Sequence, residues 1–188
     1  MKKVILAFVC VMMFCSASFG ASSSELKRMS TFISNFTEQG MYEFGEDIDN
    51  SQLVHFGIRH NYINNYNSRI KNCPVKNCPY GSAIIDKKFV VESVKKYFAR
   101  TLKNESTDDE HFDGKAYHFD HADGEAVYFA DVQEVSRRGG IITMTGELYN
   151  AEDKNDRPGT FTAKAKPYTW KGKDTWSIIS LVCEWYDY

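Results

Sequence analysis

The chain has no cluster of Lys or Arg, no second pair of cysteines beyond its first twenty residues, no apolar run of membrane-spanning length and only four prolines. Each shortage narrows the field. Nucleic-acid binding draws most of its affinity from clustered cations that neutralise phosphates; here 23 basic residues are dispersed among 25 acidic ones. A thiolate zinc finger needs four ligands; Cys10 and Cys15 lie within the N-terminal twenty residues, and after residue 20 one close cysteine pair has no second. There is no Gly-x-Ser-x-Gly elbow, no phosphate-cradling Gly loop and no His-Glu-x-x-His helix, so the common hydrolase, nucleotide and zinc-protease signatures are absent. "DKNDRPG" from Asp153 resembles a calcium loop only superficially, because Arg157 and Pro158 stand where a ligand and a glycine are needed.

What is present begins at the N-terminus. Lys2 and Lys3 precede an apolar run from Val4 to Phe14, and Ser18-Phe19-Gly20 supplies small residues before Ala21. That run is shorter than the ~20 residues a bilayer span requires and has the length of a signal-peptide core. Residues 1–20 are therefore expected to be a signal peptide, and 21–188 an exported chain, periplasmic or secreted. Losing Lys2 and Lys3 takes the formal net charge from −2 to −4, a mildly acidic surface.

"KNCPVKNCP", residues 71–79, states Lys-Asn-Cys-Pro twice. Proline disfavours helix at the residue before it, so Cys73 and Cys78 are held in extended or turn backbone. Outside the cytoplasm thiols oxidise, and the expected product is a local Cys73–Cys78 disulfide stapling a connection between helices. Bonding of one of them to Cys183 is the alternative. Redox catalysis favours Cys-x-x-Cys at a helix start, and haem attachment needs His where Pro79 stands. Cys183, within "SIISLVCEW", reads as a buried inert thiol.

Periodicity changes near residue 105. Before it, three amphipathic helices are expected. The first carries Leu26, Met29, Ile33 and Phe36. The second carries Leu53, Phe56, Ile63, Tyr66 and Ile70 behind an Asp49/Gln52 capping box. The third, opened by Asp86 and running to Leu102, carries Phe89, Val90, Val94, Tyr97 and Phe98. After a polar linker, "AYHFD", "EAVYFADVQEV", "IITMTGELYN", "GTFTAKAKPYTW" and "TWSIISLVCEW" read as a β-meander, with a hairpin expected at Asp123-Gly124. The implied architecture is one α+β domain, with helices in 21–104 packed on a four- to five-stranded antiparallel sheet in 105–188. This element order is similar to the helix-backed curved sheets of the nuclear-transport-factor-2-like and cystatin-like superfamilies, a resemblance that concerns fold alone.

Two functional readings follow. In the preferred one the chain is a non-catalytic binding module for a protein or small ligand, using Tyr168, Trp170, Trp185 and Tyr186 on the last strands. No cofactor and no nucleic acid are implied. In the alternative, "HFDGKAYHFDHADGE" supplies His118, Asp120 and His121 for a metal or for general-base catalysis in a small enzyme. His55 and His60 are expected on a helix surface or core edge.

Export makes the first prediction. Sequencing the N-terminus of protein recovered outside the cytoplasm should find Ala21; full-length chain recovered from the membrane fraction would count against cleavage.

Overall fold

The structure, a computed structural model, describes residues 21–121 and 126–186. Its elements are α1 (Ser23–Thr37), β1 (Glu43–Phe44), α2 (Asn50–Arg69), β2 (Ile70–Asn72), β3 (Ala83–Asp86), α3 (Lys87–Phe98), β4 (His111–Phe112), β5 (Ala116–Phe119), β6 (Tyr128–Arg138), β7 (Ile141–Asn150), β8 (Gly159–Trp170) and β9 (Lys173–Trp185). The class is α+β, and every strand pairing is antiparallel.

The helices form for the local reasons read above. Ser22 accepts a hydrogen bond from Glu25 N at the start of α1, and Asp49 and Gln52 close a reciprocal capping box on α2. Met29, Ile33 and Phe36, then Leu53 and Phe56, then Val90, Val94, Tyr97 and Phe98 turn inward. Two details differ. The α2 stripe is interrupted: Ile63 and Tyr66 are exposed, the backbone leaves helical geometry at Asn65, and Ile70 opens β2. Helix α3 stops at Phe98, short of Leu102, because Ala99 adopts a left-handed conformation and caps it. Gly57 is where α2 meets α3. A Cβ there would lie 2.5 Å from Val90 Cγ1 and 3.0 Å from its carbonyl oxygen, so only glycine permits this approach.

A single meander was expected, and two sheets are found. One runs β1-β9-β8-β7-β6; the other runs β2-β3-β5-β4. The first holds most of the expected strands. On β8, Phe161, Ala163 and Ala165 are buried while Thr162, Lys164 and Lys166 are exposed, the alternation of a sheet with one wet face. Gly139-Gly140 and Lys171-Gly172 make two-residue turns with positive φ at both positions, which match strand twist. The correction concerns β5. It pairs with β3 and β4 and not with β6, so "AYHFD" leaves the meander. Its Tyr117, His118 and Phe119 are buried in succession, which alternation cannot reveal. The expected turn at Asp123-Gly124 lies outside the described residues. The helices also do not cover one sheet as a block: α1 packs on β6 and α3 on β9, while α2 packs chiefly on α3.

Along β6, hydroxyl groups of α1 take the place of another strand. Ser30 Oγ accepts from Val132 N at 2.9 Å, Ser34 Oγ accepts from Ala130 N at 3.0 Å, and Thr37 Oγ1 donates to Tyr128 O at 2.7 Å. The spacing of four and three residues puts all three on one helix face, opposite alternate residues of the strand. The edge is thereby closed to other chains. Among the described residues, no helix is long and apolar enough to cross a membrane.

Ser34→Ala would strand the buried Ala130 N–H. Urea denaturation should show a loss of about 1–3 kcal/mol with an unchanged slope; a change below about 0.3 kcal/mol would mean that the hydroxyl ladder contributes nothing.

Candidate functional site

Two regions gather reactive or charged side chains. The first lies at the tip of the β2–β3 hairpin. Residues 73–82 form the loop of that hairpin, closed by Cys73 N donating to Ser82 O at 2.8 Å. The cysteine loop thus joins strands, not helices as expected. Gly81 (φ 120) presses the loop onto β5: a Cβ there would lie 2.2 Å from the Phe119 carbonyl carbon. No other residue allows that contact.

This contact brings His118 of β5 between the cysteines. Its Nδ1 is 3.5 Å from Cys73 Sγ and 3.5 Å from Cys78 Sγ, and the three donor atoms lie within 4.8 Å of one another. On the far side of the ring, Nε2 is 3.1 Å from Asp113 Oδ2. Asp113 is itself held, since its Oδ1 accepts from Lys115 N at 2.8 Å and Ala116 N at 2.7 Å. Burial opposes a charge on His118, but hydrogen bonds with Asp113 and Cys78 outweigh it and raise its pKa. Hydrogen bonding from Tyr80 backbone holds the Cys78 thiol below its ordinary range, whereas burial pushes Cys73 up.

The expected Cys73–Cys78 disulfide is not formed: both residues, and Cys183, are free thiols. The pair is adjacent, as its spacing implied, but both sulfurs are directed at the same imidazole nitrogen. The grouping of His118 with Asp120 and His121 also fails. Asp120 Oδ1 accepts from Ser82 N at 3.3 Å and so braces the hairpin. His121 Nδ1 sits 3.2 Å from the Tyr62 hydroxyl on α2. Among the described residues the donor atoms within 4.8 Å of one another are those of Cys73, Cys78 and His118, without Asp120 or His121.

The second region is a cavity of about 490 Å³ where α2, α3 and the β8–β9 turn meet. Arg69, Lys96, Lys171 and Lys173 line it, against only Glu92 and Asp174. Glu92 engages both Arg69, at 3.6 Å, and Lys171. Arg69 Nη1 also donates to the buried Asn61 Oδ1 at 2.9 Å, and its guanidinium lies 4.8 Å from the Phe89 ring. Lys171 lies over Trp170. Lys96 has its pKa lowered by burial and by Arg69. His60, a wall residue, is only 5% exposed, and burial, then Lys96 and Arg69, push its pKa down to about 3.

Of the four aromatic candidates, Trp170 lines this cavity and Tyr168 stacks beside it at 6.4 Å. Trp185 packs on Tyr42 and Tyr128 at the opposite end of the β8–β9 hairpin. Twelve residues of β8 separate the ends, about 35–40 Å at ~3.3 Å per residue, so the four do not form one contact surface. Tyr186 lies with Trp185, its N–H donating to Pro158 O. A smaller cavity holds His55, whose Nδ1 is 2.9 Å from the buried Glu110. Ser51 lines the same cavity, but among the described residues no hydrogen bond joins it to His55.

Comparison with protein-family models, with curated proteins and with solved structures returns no match for this chain. The site therefore rests on its geometry. Sequence reading missed Asp113, Arg69 and Lys96 as site residues. A signal for Asp113 existed in its place three residues ahead of a strand start, within the histidine- and aspartate-rich segment, where Asx turns form; the cations carried none.

His60 yields a pH prediction with a definite sign. Its folded pKa lies below its ordinary value of 6.5, so its contribution is present above pH 6.5 and is lost as pH falls toward 3. His118, shifted upward, runs the other way, its contribution being lost as pH rises. Between pH 6.5 and 5 the unfolding free energy of the wild type should fall by roughly 1–2 kcal/mol relative to His60→Gln. Parallel profiles would show that His60 is not held neutral.

Proposed function

We propose that the chain is exported by a signal peptide spanning residues 1–20 and acts outside the cytoplasm as a non-catalytic binding module. Its ligand is a small molecule bearing a carboxylate or phosphate, taken up in the cavity between α2, α3 and the β8–β9 turn.

The observation that carries this reading is the excess of cations beside an aromatic wall. Four cations face two carboxylates around Trp170, and the protonation of both His60 and Lys96 is opposed by neighbouring positive charge. An anion entering there relieves that repulsion, while the Trp170 ring offers a flat apolar face. Arg69 is oriented by Asn61 and Glu92 before any ligand arrives, which lowers the cost of ordering it. Cavities of this size, with a few convergent polar groups, suit small ligands. The His55–Glu110 pair favours an enzyme as the second reading, since a carboxylate-oriented imidazole is the form of a general base. Among the described residues no hydroxyl or thiol is hydrogen-bonded to His55.

The test is thermal unfolding of residues 21–188 with inorganic phosphate, citrate and benzoate. At least one anion should raise the midpoint in a concentration-dependent way that added salt weakens. Arg69→Gln and Trp170→Ala should each reduce its affinity about tenfold or more, the worth of one charge-assisted contact. Stabilisation by neutral analogues alone, or binding indifferent to both substitutions, overturns the proposal.

A further inference from the structure

From the loop at the β2–β3 tip we infer a site for a thiophilic d10 metal cation such as zinc, held by Cys73 Sγ, Cys78 Sγ and His118 Nδ1, with Asp113 as the residue that orients the imidazole. The site is separate from the anion cavity and independent of that reading.

Three observations carry it. The first is spacing. Zinc held tetrahedrally at ~2.3 Å from sulfur and ~2.0–2.1 Å from nitrogen sets S···N edges of about 3.5–3.6 Å. Both Cys–His separations are 3.5 Å. The second is the count of donors and lone pairs. Asp113, accepting two backbone N–H bonds, stays ionised and accepts a hydrogen bond from His118 Nε2–H. In neutral imidazole that leaves one lone pair on Nδ1, facing two sulfurs. One lone pair accepts one S–H well, and the second thiol turns to the first sulfur, a weak acceptor. A cation between the three atoms satisfies all of them. The third is the Asp113–His118 pair itself. A carboxylate on the outer nitrogen of a ligating histidine is the arrangement that fixes the tautomer and strengthens the ligand.

The remaining chemistry is consistent with a small, partly open centre. His118 is 8% exposed, while the two cysteines are half-buried at the loop. Binding releases the two thiol protons to solvent and leaves two thiolates and a neutral imidazole about a divalent cation. Three protein ligands leave a fourth position for water or an incoming group. Pro74 and Pro79 limit the loop's freedom directly after each cysteine. Gly81 holds the loop on β5, so the ligands are placed by the fold and not gathered by the ion.

The experiment uses residues 21–188, reduced and then freed of reductant under nitrogen. Zinc titration should reach one equivalent per chain. Cobalt(II), used as a spectroscopic stand-in, should develop near-ultraviolet thiolate charge-transfer bands. Cys73→Ser, Cys78→Ser and His118→Gln should each abolish the stoichiometric site, while Cys183→Ser should keep it. Asp113→Asn can still receive the two turn hydrogen bonds; it should weaken zinc binding roughly 10–100-fold yet retain the cobalt thiolate bands. Circular dichroism of each variant distinguishes loss of a ligand from loss of fold. The proposal is overturned if the reduced chain takes up no zinc or cobalt, if uptake shows no thiolate bands, or if folded Cys73→Ser and Cys78→Ser variants bind as the wild type does.

Discussion

Phe36 has no exposed surface, and its ring meets rings from every helix and from the two-residue edge strand β1. Phe32 of α1, Phe44 of β1, Phe56 of α2, and Tyr97 and Phe98 of α3 all lie with centroids 5.1–5.9 Å from it. Because close-packed interiors transmit displacement, this knot sets how the three helices stand relative to one another. The consequences run outward in two directions. Helix α1 is held where Ser30, Ser34 and Thr37 close the edge of β6, and α3 is held against β9. The same rings extend to His60, which lies flat against Phe56 and edge-on to Tyr97. The aromatic core therefore forms the floor of the cationic cavity, and burial of His60 in that floor is what keeps it neutral.

The second sheet performs a different task. It is assembled from two segments far apart in the chain, β2–β3 and β4–β5, and its centre is the pairing of β3 with β5. That pairing sets the cysteine loop and His118 at the same end of the sheet, and Gly81 removes the last steric obstacle between them. Asp113, in the tight β4–β5 turn, reaches His118 because the two-residue register of that hairpin puts His118 opposite His111. Local turn chemistry and long-range pairing thus meet at one imidazole ring, with a different group bonded at each nitrogen.

Much of this was legible from residue order. Caps at Asp49 and Asp86, the apolar stripes of α1 and α3 and the alternation along β8 are properties of short windows, where helix and strand periodicities express themselves directly. The misreadings share one cause. The alternation rule assumes one wet face, and β5 is covered on both, so its membership in the wrong sheet left no trace in its pattern. Likewise the α2 stripe ran on past Asn65 in sequence, where the helix kinks and Tyr66 is left exposed.

Chain order alone marked the three helices and the strands β5 to β9, though not the short β1 to β4, and put two proline-followed cysteines close together, because those outcomes depend on backbone conformations and side-chain spacings a few residues long. The tertiary structure decided what those cysteines face. His118 lies 40 and 45 residues from them in the chain, and no local rule links such distances; only the antiparallel pairing of β3 with β5 does. The cavity follows the same logic, for Arg69, Lys96 and Trp170 belong to three elements whose convergence is fixed by buried aromatic packing and not by any motif that the chain spells out.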